Sequence, residues 1–340
     1  MFLLAPGNPK QLNERAQWFK TEAARKLAAD FDVQFGFELK GAPENITEAP
    51  PLFWGYHLSD YFATEWYYHP NERQELFKRI VHLSKLKPNY LNFHGIHLWY
   101  KPDEMGKMER YINHSDSEEY LKVLDSNIEF VKELKKILPE TRITMECYPL
   151  HAYYTKNGEF LLETYLYTGS GRLNDLLYLK EKAGIEILLD IEHLILTLNF
   201  LNRERNYKDV PVIKIENPSE ITKKLYEIFG FYIKEGYYPY VDQKVDLAQT
   251  IKNFDAKIYH LTGSVQEIIP GVRNNAHAPI EINDPVFRTN LRMILVQKPE
   301  AMLVETADST VNPCFSHLRS NETEISFDNL CRILLEELKR

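Results

Sequence analysis

Six short apolar runs in this 340-residue chain end in a side chain that can bind a metal ion or move a proton. They are Phe53-Trp54-Gly55-Tyr56-His57, Tyr90-Leu91-Asn92-Phe93-His94, Ile143-Thr144-Met145-Glu146, the Ile185 to Leu189 run followed by Asp190 and His193, Lys257-Ile258-Tyr259-His260 and Ala301-Met302-Leu303-Val304-Glu305. Three carboxylates (Glu146, Asp190, Glu305) and the imidazole of His260 suit a divalent ion such as Zn, Mn, Fe or Mg, not a thiolate-loving one. His57 and His94 can serve a second ion that shares Glu146, and His193 with His277 a third. One to three ions per chain follow, with zinc favoured. Glu146 and Glu305 are also the pair able to move protons.

Ile185 to Leu189, nearly all β-branched or Leu, reads as a strand covered on both faces, and the other runs have strand length. In a barrel or open α/β sheet the carboxyl ends of such strands are where chemistry sits. A scatter of His and carboxylates has no reason to respect strand ends. Plainer roles remain for each residue: Asp190 can cap the next helix, His57 and His94 can pack against backbone carbonyls, and His277 can be a surface loop residue. His97 is the best reserve site residue, Arg273 near Asn275 can meet an anionic substrate or simply solvent, and Gly169-Ser170-Gly171 is too short for a phosphate loop.

The elements that carry these residues alternate. Strands are expected near Phe2, Phe35, Tyr56, Phe93, Thr144, Leu188, Tyr259 and Leu303. Helical spacing covers Gln11 to Asp30, Asn71 to Leu86, Ser117 to Leu138, Phe160 to Ala183 in two pieces, Asp284 to Val296 and Ser326 to Lys339. Trp99 to Ser115 reads as an excursion and Thr262 to Asn283 as a long loop. Eight alternating β and α units predict a single (β/α)8 TIM-barrel domain over 1–340. Residues 199–255 exceed an ordinary crossover and read as an insertion after strand six, a lid or a partner surface.

Composition narrows the function classes. A 44% hydrophobic chain of this length buries a large core, and a net charge of −8 gives no global basic footprint, so DNA binding is not supported by net charge. Three cysteines, Cys147, Cys314 and Cys331, fit a reducing compartment better than a disulfide framework, and no run approaches the ~18 apolar residues of a membrane helix. A cytoplasmic protein with no membrane partner is the expectation.

The ordered residues resemble the xylose isomerase-like TIM-barrel superfamily, and within it the endonuclease IV type, from about Val33 to Thr306. That type carries His after strand three, His-x-Gly-like after strand four, Glu after five, Asp-x-x-His after six, His after seven, Asp-x-His in the next loop and Glu after eight. Here these are His57, His94-Gly95, Glu146, Asp190 with His193, His260, Asn275-Ala276-His277 and Glu305. Asn275, a neutral and weaker ligand, departs from the pattern and puts the third metal in doubt. The resemblance implies one of three chemistries. A phosphoester can be hydrolysed by metal-bound hydroxide; a sugar or sugar phosphate can be isomerised or epimerised with one metal and the Glu pair; or several irons can oxidatively modify a peptide partner, a branch that His277-Ala278-Pro279 and His260-Leu261-Thr262-Gly263 resemble. Multinuclear hydrolysis of a phosphoester is the leading expectation, because the extra histidines build a further metal position that a one-metal isomerase does not need. The non-enzymatic alternative is a metal-free binding protein on a degenerate barrel.

Overall fold

The computed structural model describes residues 1–7, 11–40, 46, 52–58, 62–97, 99–100, 110–111, 118–148, 152–154, 160–162, 168–169, 173–203, 246–264, 267–269, 272–273, 277–306 and 321–340. Its centre is a closed barrel of eight parallel strands: β1 (Phe2–Gly7), β2 (Gln34–Lys40), β3 (Phe53–His57), β4 (Tyr90–Phe93), β5 (Arg142–Glu146), β6 (Glu186–Asp190), β7 (Ile258–Leu261) and β8 (Ala301–Val304). Each pairs with its neighbour in chain order, and β1 closes on β8 through Phe2 opposite Ala301. Helices α1 (Glu22–Phe31), α2 (Phe62–Tyr68), α3 (Arg73–Val81), α4 (Glu118–Ile137), α5 (Leu173–Ala183), α6 (Ile191–Arg203), α7 (Leu247–Phe254), α8 (Pro285–Val296) and α9 (Glu322–Glu337) connect or follow the strands. This is the (β/α)8 TIM barrel that the alternating pattern predicts.

The strand period of two turns sequence into layers. Leu4, Trp54, Tyr90, Leu188, Ile258, Ala301 and Leu303 form a buried apolar cluster of their own, apart from the larger core that also takes in the helices. Two residues further along four of those strands stand Asn92, Asp190, His260 and Glu305. An apolar layer thus floors a polar one, and the polar one lies at the carboxyl ends.

Several helix boundaries differ from expectation. The Gln11 to Asp30 stretch is not one helix: it breaks at Thr21, whose extended backbone and hydroxyl, accepting from Ala24 N–H, start α1. The aromatic segment Phe62–Tyr68, not singled out above, forms α2 before Pro70 interrupts the chain. Phe160–Leu162 is a strand and not the first half of a helix, because it finds an antiparallel partner in Ala152–Tyr154. Val272–Arg273 pairs with the other side of Ala152–Tyr154 and Glu267–Ile269 extends the sheet, so the long loop after β7 contributes strands to a four-stranded sheet. Tertiary pairing overrides local propensity in both cases. In the 199–255 stretch, the ends are helical, as the last turns of α6 and as α7; residues 204–245 lie outside the described residues.

The last helix is fastened to its neighbour by a buried carboxylate. Glu337 accepts from Arg292 Nε at 2.7 Å and Nη2 at 2.9 Å, with Arg288 Nη1 at 3.3 Å. The hydrogen bond from Arg292 is the main cause that holds the Glu337 carboxyl down at about 2. A carboxyl depressed in the folded state stabilises fully above its unfolded value, near 4.5, and that contribution disappears as pH falls toward about 2. Glu337→Gln should therefore lower the unfolding midpoint at pH 7 and flatten the loss of stability between about pH 4.5 and 2. Denaturant titrations across that window check this, and an unchanged acid profile would contradict it.

Candidate metal centre

Glu146 ends β5 and is buried. Its Oε2 receives Asn92 Nδ2 at 2.7 Å and lies 3.1 Å from His57 Nε2, 3.5 Å from His260 Nδ1 and 3.6 Å from His94 Nε2. The carboxylate is thus a hub for side chains from β3, β4 and β7. Thr144, two residues before it, donates to Asn92 Oδ1 and so orients the amide.

Donor atoms fall into two groups that share this hub. His57, His94 and Glu146 form one; Glu146, Asp190, His260 and Glu305 form the other, with the donor atoms of each group all within 4.8 Å of one another. His57 Nδ1 faces Leu58 O at 2.7 Å, which fixes the ring with Nε2 toward Glu146. The backbone-bonded role and the site role hold together for this histidine. Asp190 combines two roles as well: Oδ1 caps α6 by accepting His193 N–H at 2.9 Å, while Oδ2 is buried without a hydrogen-bond partner.

His193 stands beside the second group. Its Nδ1 is 2.8 Å from Cys147 O and 3.5 Å from Glu146 Oε1, and its Nε2 is 3.7 Å from Asp190 Oδ2. His277 approaches from the loop before α8, its ring centroid 5.9 Å from that of His193. Its backbone is left-handed, with φ 51°, and its N–H donates to Glu192 Oε2 at 2.9 Å. His97 is held elsewhere, its N–H on Thr64 Oγ1 at 2.8 Å, and it belongs to neither ligand group. Asn275 and the side chain of Arg273 lie outside the described residues.

Electrostatics separate the carboxylates. Burial pushes the Glu146 carboxyl up, but His260, His57 and His94 outweigh it and hold it well below the ordinary range. Glu305 is likewise pushed up by burial and pulled well down by Lys40 and His260. Asp190 goes the other way: burial, then the negative charges of Glu305 and Glu146, raise it well above its usual value. In turn Glu305, Glu38 and Glu146 outweigh burial and raise the His260 imidazole.

The donor set fits a divalent cation. Two buried carboxylates and a part-buried third brought this close repel one another, and compensation normally comes from pairing or a metal. Asp190 Oδ2 is buried with no hydrogen-bond partner, while His260 Nδ1 and Glu305 Oε2, also buried, face each other at 2.5 Å. Oxygen and imidazole nitrogen without thiolate match Zn, Mn, Fe or Mg. Cys147 offers no thiolate, since burial first, then Asp190 and Glu146, keep its thiol well up.

Sequence reasoning missed the residues that hold the donors. Glu38 of β2 lies 3.2 Å from His260 Nε2 and accepts the Tyr90 hydroxyl, and Lys40 pairs with Glu305. Asn92 escaped notice because a neutral amide does not register in a search for ligands. Glu38 carried a usable signal: it is a carboxylate inside a strand, set between the apolar Phe37 and Leu39.

No protein-family model matches this chain, and no curated protein matches it. Among solved structures it is similar to a xylose isomerase-like TIM barrel protein from Mycobacterium smegmatis, determined in complex with magnesium. That protein is 11% identical, the alignment covers 98% of this chain and 80% of the other, and the TM-score is 0.43. A second likeness, to dTDP-glucose 4,6-dehydratase from Bacillus anthracis in complex with NAD, has 9% identity, 99% and 97% coverage and a TM-score of 0.20. The barrel assignment rests on the strand order above, and among the described residues no helix is long and apolar enough to cross a membrane.

Proposed function

We propose that this chain is a multinuclear metal-dependent hydrolase acting on a phosphoester, in the manner of the endonuclease IV type within the xylose isomerase-like superfamily. The observation that carries the reading is Glu146 belonging to both ligand groups, because one carboxylate between two donor sets is the arrangement two adjacent cations need. His57, His94 and Glu146 would hold the first cation, and Glu146, Asp190, His260 and Glu305 the second. His193, beside Asp190, and His277 would serve a third.

When bound, the cations lower the pKa of water toward ~7 and offset negative charge on phosphoryl oxygens. The chain's own groups do the rest. Asn92 and Thr144 fix Glu146, Cys147 O fixes the His193 ring, and Asp190 sets the first turn of α6, from which His193 projects. Glu305, whose Oε2 lies 2.5 Å from His260 Nδ1, would accept a proton from water, and the part-exposed Lys40 paired with it offers positive charge to an anionic substrate. A small-molecule phosphoester and the cytoplasm fit this reading.

A second reading, sugar isomerase or epimerase with one cation, is favoured by one specific fact: Glu146, Asp190, His260 and Glu305 already make a complete four-residue donor set. Elemental analysis of protein purified without added metal decides between them. Two or three zinc ions per chain support hydrolysis, one manganese or magnesium the isomerase, two or three irons an oxidase that modifies a peptide, and a chain that neither holds nor takes up metal overturns all three. His277→Ala sharpens the choice: a hydrolase loses its third ion and at least about tenfold in turnover, whereas a one-cation isomerase keeps wild-type kinetics.

A further inference from the structure

The strand β2 brings no residue to either ligand group, yet Glu38 on it is completely buried beside one of the donors. We propose that Glu38 is a positioning residue that decides which ring nitrogen of His260 meets the cation. The proposal rests on the metal reading above and adds how the ligand is aimed.

An imidazole that binds a metal through one nitrogen keeps a proton on the other, and whatever accepts that proton sets the ring's orientation. Glu38 Oε2 lies 3.2 Å from His260 Nε2. His260 Nδ1 is left among the donor carboxylates, 2.5 Å from Glu305 Oε2 and 3.5 Å from Glu146 Oε2. Glu305 and Glu146 belong to the ligand group and Glu38 does not, so the assignment is Nε2–H to Glu38 and Nδ1 to the cation.

Glu38 is itself held from below. The Tyr90 hydroxyl donates to the same Oε2, and the Tyr90 ring stands edge-on to Trp54 with centroids 5.3 Å apart, inside the apolar floor. Gly55 makes room for that ring: a Cβ there would sit 2.2 Å from Tyr90 Cε1. A line of contacts thus runs from the packed floor through Tyr90 and Glu38 to His260.

The full chain carrying 15N-labelled histidine, titrated with Zn2+, tests this. In the wild type, Zn2+ should shift the Nδ1 resonance of His260 while Nε2 keeps its proton. Glu38→Leu, which cannot accept, should weaken Zn2+ binding by about 10–100-fold and lose the single tautomer. Glu38→Gln, whose amide oxygen still accepts, should restore most of the affinity and the Nε2–H signal. A Leu variant with wild-type affinity would overturn the proposal, and so would a Gln variant as weak as Leu, which would make Glu38 a ligand. If Glu38→Leu does not fold, Tyr90→Phe takes its place, with faster exchange of the Nε2 proton expected and unchanged exchange counting against the proposal. Wild-type protein that binds no Zn2+ would instead overturn the metal reading itself.

Discussion

Glu146→Gln should empty both cation positions and take activity below detection. The change is nearly isosteric, so the amide oxygen can still receive Asn92 Nδ2 and the barrel should fold. What goes is the negative charge, along with one carboxylate oxygen of the residue that both ligand groups contain. Losing an outer hydrogen-bond partner of a metal ligand costs about 10–100-fold in affinity, and losing a ligand common to two sites should exceed that. Elemental analysis beside a thermal melt is the check: metal content near zero with a cooperative melt is expected, and full metal content with retained turnover would show that the hub is misassigned. Under a one-cation isomerase the same substitution also abolishes activity, so it tests the site and not the choice of reaction.

Gly95→Ala should cost at least about 3 kcal/mol of stability, since overpacking into backbone that cannot move lies at the upper end of such effects. A Cβ on Gly95 would stand 1.7 Å from the carbonyl oxygen of Thr168. That turn has little freedom to retreat. Thr168 N–H donates to Ile96 O at 2.8 Å, Asn127 Nδ2 to Thr168 Oγ1 at 2.8 Å, and Ile96 N–H to Asn127 Oδ1 at 3.0 Å. His94 immediately precedes the glycine, so strain released there should also move a candidate ligand. Urea unfolding and Zn2+ titration read the two effects, and a variant within about 1 kcal/mol of wild type with normal binding would refute the argument. Gly263, whose Cβ would meet Pro279 O at 1.9 Å, should behave alike on the far side of the mouth.

Much of this site was readable before folding was considered. Glu146, Asp190, His260 and Glu305 each close an apolar run, and alternation carries the apolar floor and the polar mouth on the same strands. His57 and His94 follow by the same rule, because a buried strand leaves polar side chains few places except its end. Helix boundaries were less legible. Gln11 to Asp30 keeps a helical pattern across Thr21, and only the cap geometry shows that the chain restarts there.

Amino-acid order alone determined that strands and helices alternate and that metal-competent side chains close the strands, because both depend on neighbours a few residues away. Tertiary structure decided that Glu146 is common to two donor groups, that Glu38 and Lys40 of β2 brace His260 and Glu305, and which oxygen of Asp190 caps α6 and which is left over. Those facts are distances between residues up to 265 positions apart in the chain, set by the closure and register of the barrel. Local periodicity carries no information about them.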